Sequence, residues 1–403
     1  MKRNGSRYSI SRLRSHSRPS THFCREAFTA RVQDIAGDGR GVITHPDGRI
    51  CFVPGVWLGE EGEFQLTAVK GRTGSAKLLS LNRSSAARVV APCRYHGHGE
   101  RDCGGCAWQF VDYQAQLTAK QARVEKVLGR LCRPDVIKPI WGSTQTFGYR
   151  NRAQFKTDGE HLGYLAAGSH RIVDVESCPI LTEANQQTLS QLRLKLPSRN
   201  WLPARHRSWV TLDIDETVCA DNASVNERLP FIQANDWQNQ RMKEWLRRQA
   251  ASLPCVEPAI ELFCGSGNFT EVLAQMGFAS ILAVEVAGEA LERLAQKQLP
   301  NVFTMGADLY RESALDTVIK RQPEAKTLIL DPPRDGLKQR EPLLKKPKAS
   351  KGISDIVYIS CDLATLARDL TDFIGAGYKL LEVQPLDPFP HTPHIELLTR
   401  LHR

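Results

Sequence analysis

From residue 236 to the C-terminus, short apolar runs alternate with amphipathic ones, and this alternation limits the possible folds more than any other property of the chain. Apolar runs at 256–263, 280–285, 326–331 and 355–360 have the length of strands. Runs at 268–277, 288–298 and 362–375 carry apolar residues at helical spacing. Such alternation predicts a parallel, doubly wound α/β sheet, Rossmann-like in build. The last two apolar runs, 378–386 and 394–401, have no helix between them and predict an antiparallel hairpin at the sheet edge.

Two stretches of different character come before it. The chain has 403 residues, enough for two or three domains. Residues 23–82 read as a small all-β unit, with turn signals at Gly37-Asp38-Gly39 and Pro46-Asp47-Gly48 between runs at 28–32, 50–54, 62–69 and 76–81. That pattern predicts a small barrel of the OB type, a fold that often binds single-stranded nucleic acid. Residues 83–235 are mixed α+β. A helix is predicted over 112–131, with Tyr113, Leu117, Val124, Leu128 and Leu131 on its apolar stripe, and a polar helical stretch near 181–195.

The net charge is +10, and six of those ten excess charges sit in residues 1–22, a Ser-rich tail without acids. A basic arm of this kind attracts polyanions, although its composition also fits a targeting peptide. No stretch approaches the roughly 20 apolar residues of a membrane span. Eleven cysteines in a chain this long do not form a secreted disulfide framework. A cytoplasmic protein is expected.

The candidate chemistry falls at strand ends. After the first strand of the α/β unit comes Glu261-Leu262-Phe263-Cys264-Gly265-Ser266-Gly267-Asn268-Phe269-Thr270. Two glycines suit a turn that approaches a ligand, but a dinucleotide fingerprint needs a third where Thr270 stands. Glu285, at the next strand end and 20 residues beyond Gly265, is placed to grip ribose hydroxyls. Glu261, Gly265, Gly267 and Glu285 together look like the adenosylmethionine site of a Rossmann-like methyltransferase. Asp331 ends a later strand, where Pro332 and Pro333 force a turn. A Lys-rich loop follows, with Lys338, Arg340, Lys345, Lys346, Lys348 and Lys351 placed to hold a phosphate backbone.

Cys361 lies between the strand 356–360 and a helix opened by Asp362. A helix N-terminus favours thiolate through its dipole and free N–H groups, which makes Cys361 a candidate nucleophile. The run Asp387-Pro-Phe-Pro-His-Thr-Pro-His-Ile-Glu396 holds two histidines, but Pro393 spoils a helical pair and no third ligand accompanies them. Glu396 is the better candidate there, as a carboxylate base. A separate group, Cys93, Cys103, Cys106 and Cys178, suggests a four-thiolate site for an iron–sulfur cluster or zinc, with His96 and His98 as alternative ligands.

Taken in order, these motifs resemble the RNA uracil-C5 methyltransferases of the bacterial, TRAM-containing, iron–sulfur type. The resemblance covers residues ~23–403 and rests on Cys103-Gly-Gly-Cys-Ala-Trp-Gln109, Phe231-Ile-Gln-Ala-Asn235, the 261–269 loop, Asp331-Pro-Pro-Arg334, Ser360-Cys-Asp362, and Phe389-Pro-His-Thr392 with His394 and Glu396. It implies a multidomain α/β fold: a TRAM barrel over 23–82, an iron–sulfur region over 83–235 and a class I methyltransferase domain over 236–403. It also implies Cys361 as nucleophile toward uracil C6 and Glu396 as the base that removes the C5 proton. Gln233, Phe263, Asn268, Glu285 and Asp331 fall where the family holds S-adenosyl-L-methionine. Cys93, Cys103, Cys106 and Cys178 fall where it holds a 4Fe-4S cluster. The nine residues between Cys93 and Cys103 are more than the family usually has.

The expected partner is RNA, ribosomal rather than transfer RNA, and the expected state a monomer. Two other readings fit less of the chain. A non-catalytic RNA-binding protein would need a broken motif, and none is broken. An amino-directed methyltransferase would have no use for Cys361.

Overall fold

The structure, a computed structural model, describes residues 26–345 and 352–403. The basic tail and Lys346, Lys348 and Lys351 lie outside the described residues. Six strands come first: β1 (Ala27–Arg31), β2 (Asp34–Ile35), β3 (Gly41–Thr44), β4 (Ile50–Val53), β5 (Glu61–Lys70) and β6 (Thr73–Arg83). They form one sheet in the order β1-β5-β6-β4-β3-β2. Alternate residues turn inward onto a core of Phe28, Ile43, Cys51, Val53, Phe64 and Leu66. Register breaks between β5 and β6 bend the sheet around that core. The pair β2–β3 escapes a sequence reading because β2 is only two residues long.

The central region holds helix α1 (Tyr113–Leu128), strands β7 (Arg152–Thr157), β8 (Leu162–Leu165) and β9 (Ile172–Asp174), helix α2 (Glu183–Arg193) and strand β10 (Val210–Asp215). The four strands are antiparallel, in the order β10-β7-β8-β9. Asp112 caps α1 by accepting from the Ala115 N–H at 3.1 Å. The buried face of α1 is Gln116, Lys120, Val124 and Leu128, not the predicted stripe through Tyr113 and Leu117. Two polar side chains therefore sit where an apolar periodicity was expected.

The remainder is helix α3 (Asp236–Gln249), strand β11 (Ala259–Leu262), helix α4 (Thr270–Gln275), strand β12 (Ile281–Glu285), helix α5 (Gly288–Gln296), strand β13 (Val302–Gly306), helix α6 (Ala314–Arg321), strand β14 (Thr327–Leu330), helix α7 (Glu341–Leu344), strand β15 (Asp355–Ser360), helix α8 (Leu363–Gly375) and strands β16 (Lys379–Leu386) and β17 (Glu396–His402). Seven strands form one sheet in the order β13-β12-β11-β14-β15-β17-β16. The first five are parallel, and the hairpin β16–β17 closes the edge antiparallel, as its apolar runs predicted. Strand order reverses between β11 and β14, so the crevice beyond their carboxyl ends is the natural ligand position. The edge strand β13 and the polar helix α3 were not read from the sequence, since β13 is largely solvent-facing and α3 anchors itself through few apolar residues, among them Met242, Trp245 and Leu246. Among the described residues no helix is long and apolar enough to cross a membrane.

The turn between β16 and β17 is tied to α1. Lys120 and Asp387 are both fully buried, with Nζ 2.6 Å from Oδ1. Asp387 also accepts from the Tyr113 hydroxyl at 2.9 Å and the Phe389 N–H at 3.1 Å. Gln116 Oε1 accepts the His391 N–H at 2.9 Å. Trp108 donates its backbone N–H to His391 O and its indole N–H to Gly39 O, each at 2.9 Å. All three regions of the chain therefore meet at this turn. Asp387→Ala strands a buried ammonium, and a loss of about 3–5 kcal/mol of stability is expected in urea unfolding.

Candidate active site

The loop after β11 needs unusual backbone. Phe263 has φ +62, Gly265 +53 and Gly267 +91. A Cβ on Gly267 would stand 2.5 Å from Leu294 Cδ1, so that position is open to glycine alone. Glu285 fastens the loop: Oε2 accepts the Gly265 N–H at 3.2 Å, and Oε1 accepts from Val286 at 2.8 Å and Ala287 at 3.0 Å. A carboxylate has about four acceptor positions, which leaves one for a ligand hydroxyl. Asn268 exchanges amide hydrogen bonds with Asn239 of α3 at 2.9 and 3.0 Å, and the Phe263 ring lies 5.9 Å from Tyr310. Gln233 sits just before α3, its carbonyl accepting from Asn151 at 3.1 Å.

Glu261 does not belong to the ligand-facing set. Its carboxyl is buried and takes the Thr270 hydroxyl at 2.6 Å, which joins β11 to α4 and explains a threonine where a dinucleotide loop has glycine. Burial pushes Glu261 up to about 8.

Cys361 follows β15, Asp331 follows β14, and Glu396 opens β17. These three groups feel one another. Burial first, then the charges of Glu396 and Asp331, push the Cys361 thiol up to about 12, against the opposing field of Arg334. Burial pushes Asp331 up to about 7. Glu396, almost wholly buried, is driven well above the carboxylate range by burial and then by Asp331. The expected thiolate-favouring helix end is corrected here. Two of the free N–H groups of α8 are taken by Asp362, which accepts from Ala364 at 3.0 Å and Thr365 at 2.8 Å, so those two do not serve the thiol.

His391 and His394 do not form a metal pair. His391 stacks on Phe147 at 4.5 Å and has Nδ1 3.2 Å from Gln116 Nε2, whereas His394 Nδ1 lies 3.3 Å from Arg334. The Lys-rich loop is partly engaged within the chain: Lys338 pairs with Asp335, and Arg340 with Asp369 and Asp372.

Cys93, Cys103, Cys106 and Cys178 gather between the start of the central region and the four-stranded sheet. Cys103 bridges to Ala166 just after β8, and the Cys178 N–H donates to Gln186 of α2 at 2.8 Å. Burial pushes Cys103 up to about 11 and Cys106 to about 12; the charges of Cys178 and Cys93 add to both, and that of Cys103 adds to Cys106. The donor set therefore suits a cationic centre that would relieve this repulsion. Among the described residues no group of three or more His, Cys, Asp or Glu is arranged to hold a single metal ion. His96 has Nδ1 3.0 Å from Cys106 O.

Sequence reasoning missed Lys120, Gln116 and Asn239, which touch the catalytic loops without belonging to a motif. On α1, Gln116 and Lys120 extend the Val124–Leu128 stripe at four-residue spacing, but as polar side chains they do not show in an apolar periodicity.

A family model described as tRNA (Uracil-5-)-methyltransferase matches residues 214–403. The chain is 42% identical to an uncharacterized RNA methyltransferase of Nitrosomonas europaea, over 94% of this chain and 97% of that protein. It is 30% identical to the 23S rRNA (uracil(1939)-C(5))-methyltransferase RlmD of Pseudomonas fluorescens, over 91% of this chain and 92% of that protein. Among solved structures, the Pyrococcus abyssi tRNA (uracil-54, C5)-methyltransferase in complex with S-adenosyl-L-homocysteine superposes with a TM-score of 0.66 at 21% identity, covering 93% of this chain and all of that one. That likeness establishes the methyltransferase-type sheet.

The raised thiol has a direct consequence. Alkylation of Cys361 by iodoacetamide in the free protein, followed by peptide mass spectrometry, should still accelerate near pH 10, since the reacting thiolate fraction grows about tenfold per pH unit below the pKa. A plateau below pH 8 would show a thiolate stabilised at rest.

Proposed function

The chain belongs to the RNA uracil-C5 methyltransferases, and from that premise we propose that it methylates C5 of a uridine in 23S ribosomal RNA through a covalent Cys361 adduct. The observation that carries the reading is the convergence of Cys361, Glu396, Asp331 and Arg334 beyond the carboxyl ends of β14 and β15, beside the loop after β11. Uracil C5 is a weak nucleophile. Addition of the Cys361 sulfur to C6, with the thiol proton lost to solvent, moves electron density onto C5 and O4. S-adenosyl-L-methionine, when bound, supplies the electrophilic methyl group. Gln233, Phe263, Asn268, Glu285 and Asp331 would hold it, with the free acceptor position of Glu285 suited to a ribose hydroxyl. Glu396, having first given up its own proton to solvent, then takes the C5 proton, the C5–C6 double bond re-forms, and the sulfur leaves C6. Burial equips Glu396 for this step, because a carboxylate that resists ionisation is a stronger base once ionised.

Near full-length likeness to a 23S rRNA methyltransferase favours ribosomal RNA. The tRNA-named family model spans only the C-terminal part, where the chemistry lies, and says less about which RNA is held. The domain roles follow the same reading: a TRAM-type RNA-binding barrel over 23–82, a cluster-bearing region over 83–235 and the methyltransferase over 236–403. Cys93, Cys103, Cys106 and Cys178 would hold a 4Fe-4S cluster rather than zinc, since a cluster takes thiolates that stand farther apart than the ligands of one ion. The enzyme is read as a cytoplasmic monomer, consistent with its free cysteines.

Cys361→Ala should keep adenosylmethionine binding by calorimetry and lose methyl transfer to RNA; turnover near the wild-type rate would refute the covalent step. Glu396→Gln should accumulate a protein–RNA adduct on denaturing gels, whereas normal product release would remove Glu396 from the base role. Anaerobically purified protein should absorb broadly near 400 nm, and replacing Cys106 by Ser should abolish that band. A colourless, zinc-containing wild type would overturn the cluster assignment.

A further inference from the structure

The nine residues between Cys93 and Cys103 build a surface that the catalytic reading does not use. The loop is compact: Asp102 Oδ2 accepts the Gly99 N–H at 2.8 Å, and a Cβ on Gly97 would come 2.1 Å from that same oxygen. Cys103 N–H closes the loop on Tyr95 O at 2.8 Å, and Gly104 N–H ties its end to Leu165 O of β8, in the β8–β9 hairpin, at 3.0 Å. The hairpin turn is itself fixed, with the Ala166 N–H on Arg171 O at 3.0 Å and the Arg171 N–H on Ser169 Oγ at 3.1 Å. Between loop and hairpin opens a depression of about 520 Å³, lined by Arg101, His161, His170, Arg171 and Ser208 together with Asp158 and Asp174.

The charges in this depression do not cancel. Asp158 is paired with His161 at 3.0 Å, and Asp174 with Arg193 at 2.6 Å. Among the described residues no acidic partner lies within ion-pair distance of Arg101, His170 or Arg171. All three are exposed, so two full positive charges and an imidazole face one opening whose two acids are each engaged by another side chain. Such donors on hydrogen-bonded turns, with a serine hydroxyl beside them, suit the phosphate oxygens of a nucleic-acid strand.

We propose that this depression is a second RNA contact, outside the catalytic crevice, which grips the sugar–phosphate backbone of the substrate through Arg101 and Arg171. It rests on the reading of the chain as an rRNA methyltransferase. Phosphate contacts add affinity and orientation without reading sequence, so the surface would position the RNA while the crevice selects the uridine.

The test compares wild type with Arg101→Glu/Arg171→Glu, two exposed positions whose exchange leaves the core intact. Binding to a 23S rRNA transcript is measured by filter retention across a salt series, and methylation by tritium transfer at saturating RNA. The double variant is expected to bind about tenfold more weakly, with a log–log salt slope shallower by between about one and two, and to keep its maximal transfer rate. Affinity and salt slope equal to wild type would overturn the surface. Wild-type protein that binds the transcript but never methylates it would instead overturn the functional reading, because the two arms are read separately.

Discussion

The buried pair between Lys120 and Asp387 holds the turn between β16 and β17 in register. Taking two ions out of water costs several kcal/mol each, and a good ion pair only roughly offsets that. Its value here is positional. Asp387 gathers the Lys120 ammonium, the Tyr113 hydroxyl and the Phe389 N–H, so the chain leaving β16 has one way to turn. Nine residues later that chain delivers Glu396 to the start of β17. Arg123, one turn further along α1 from Lys120, hydrogen-bonds Gly37 O at 3.1 Å and Pro393 O at 2.6 Å. The N-terminal sheet, α1 and the catalytic turn are thus fastened by the same helix, and a displacement of any one is felt by the others.

The electrostatics of the crevice follow from how little water reaches it. A thiol and two carboxylates share the site with one nearby guanidinium, so the three cannot all be ionised at neutral pH without strong mutual repulsion. A thiolate of high pKa is the better nucleophile and the poorer leaving group. In the proposed reaction that property helps the addition and hinders the release. Release then depends on removal of the C5 proton, which is the step that a buried, strongly basic Glu396 suits. A strongly basic Glu396 thus favours the step on which release of the poorly leaving thiolate depends.

How legible this was in the sequence varied with what each residue does. Strands buried on both faces, such as β11, β14 and β15, are continuous apolar runs and stood out, and so did the hairpin β16–β17, because no helical run separates its halves. The edge strand β13 has mostly solvent-facing residues and gave no such run. Motif residues were legible because their chemistry demands particular side chains at strand ends. The supporting residues were not. Lys120 in a helical stretch reads as a surface lysine, since burial of an ammonium makes sense only with Asp387 opposite, 267 residues away. Glu261 was read as facing the ligand because its neighbours do, but the alternation of a strand turns it to the other side, toward Thr270.

The same alternation argument separates the two acidic strand ends more sharply. Glu285 ends β12 and spends three acceptor positions on the backbone of two loops, so its role is to shape the loop as well as to meet a ligand. Asp331 ends β14 with burial as the cause of its shift, which leaves it near neutrality at about 7. An acid poised there changes charge with small changes in its surroundings, and it lies within electrostatic reach of both Cys361 and Glu396. Arrival of a cation in the crevice would hold Asp331 ionised, whereas arrival of a neutral base would not. The strand end that the fold offers to any ligand of an open α/β sheet is, in this chain, also one whose charge adds to the cost of ionising the thiol, after burial and Glu396.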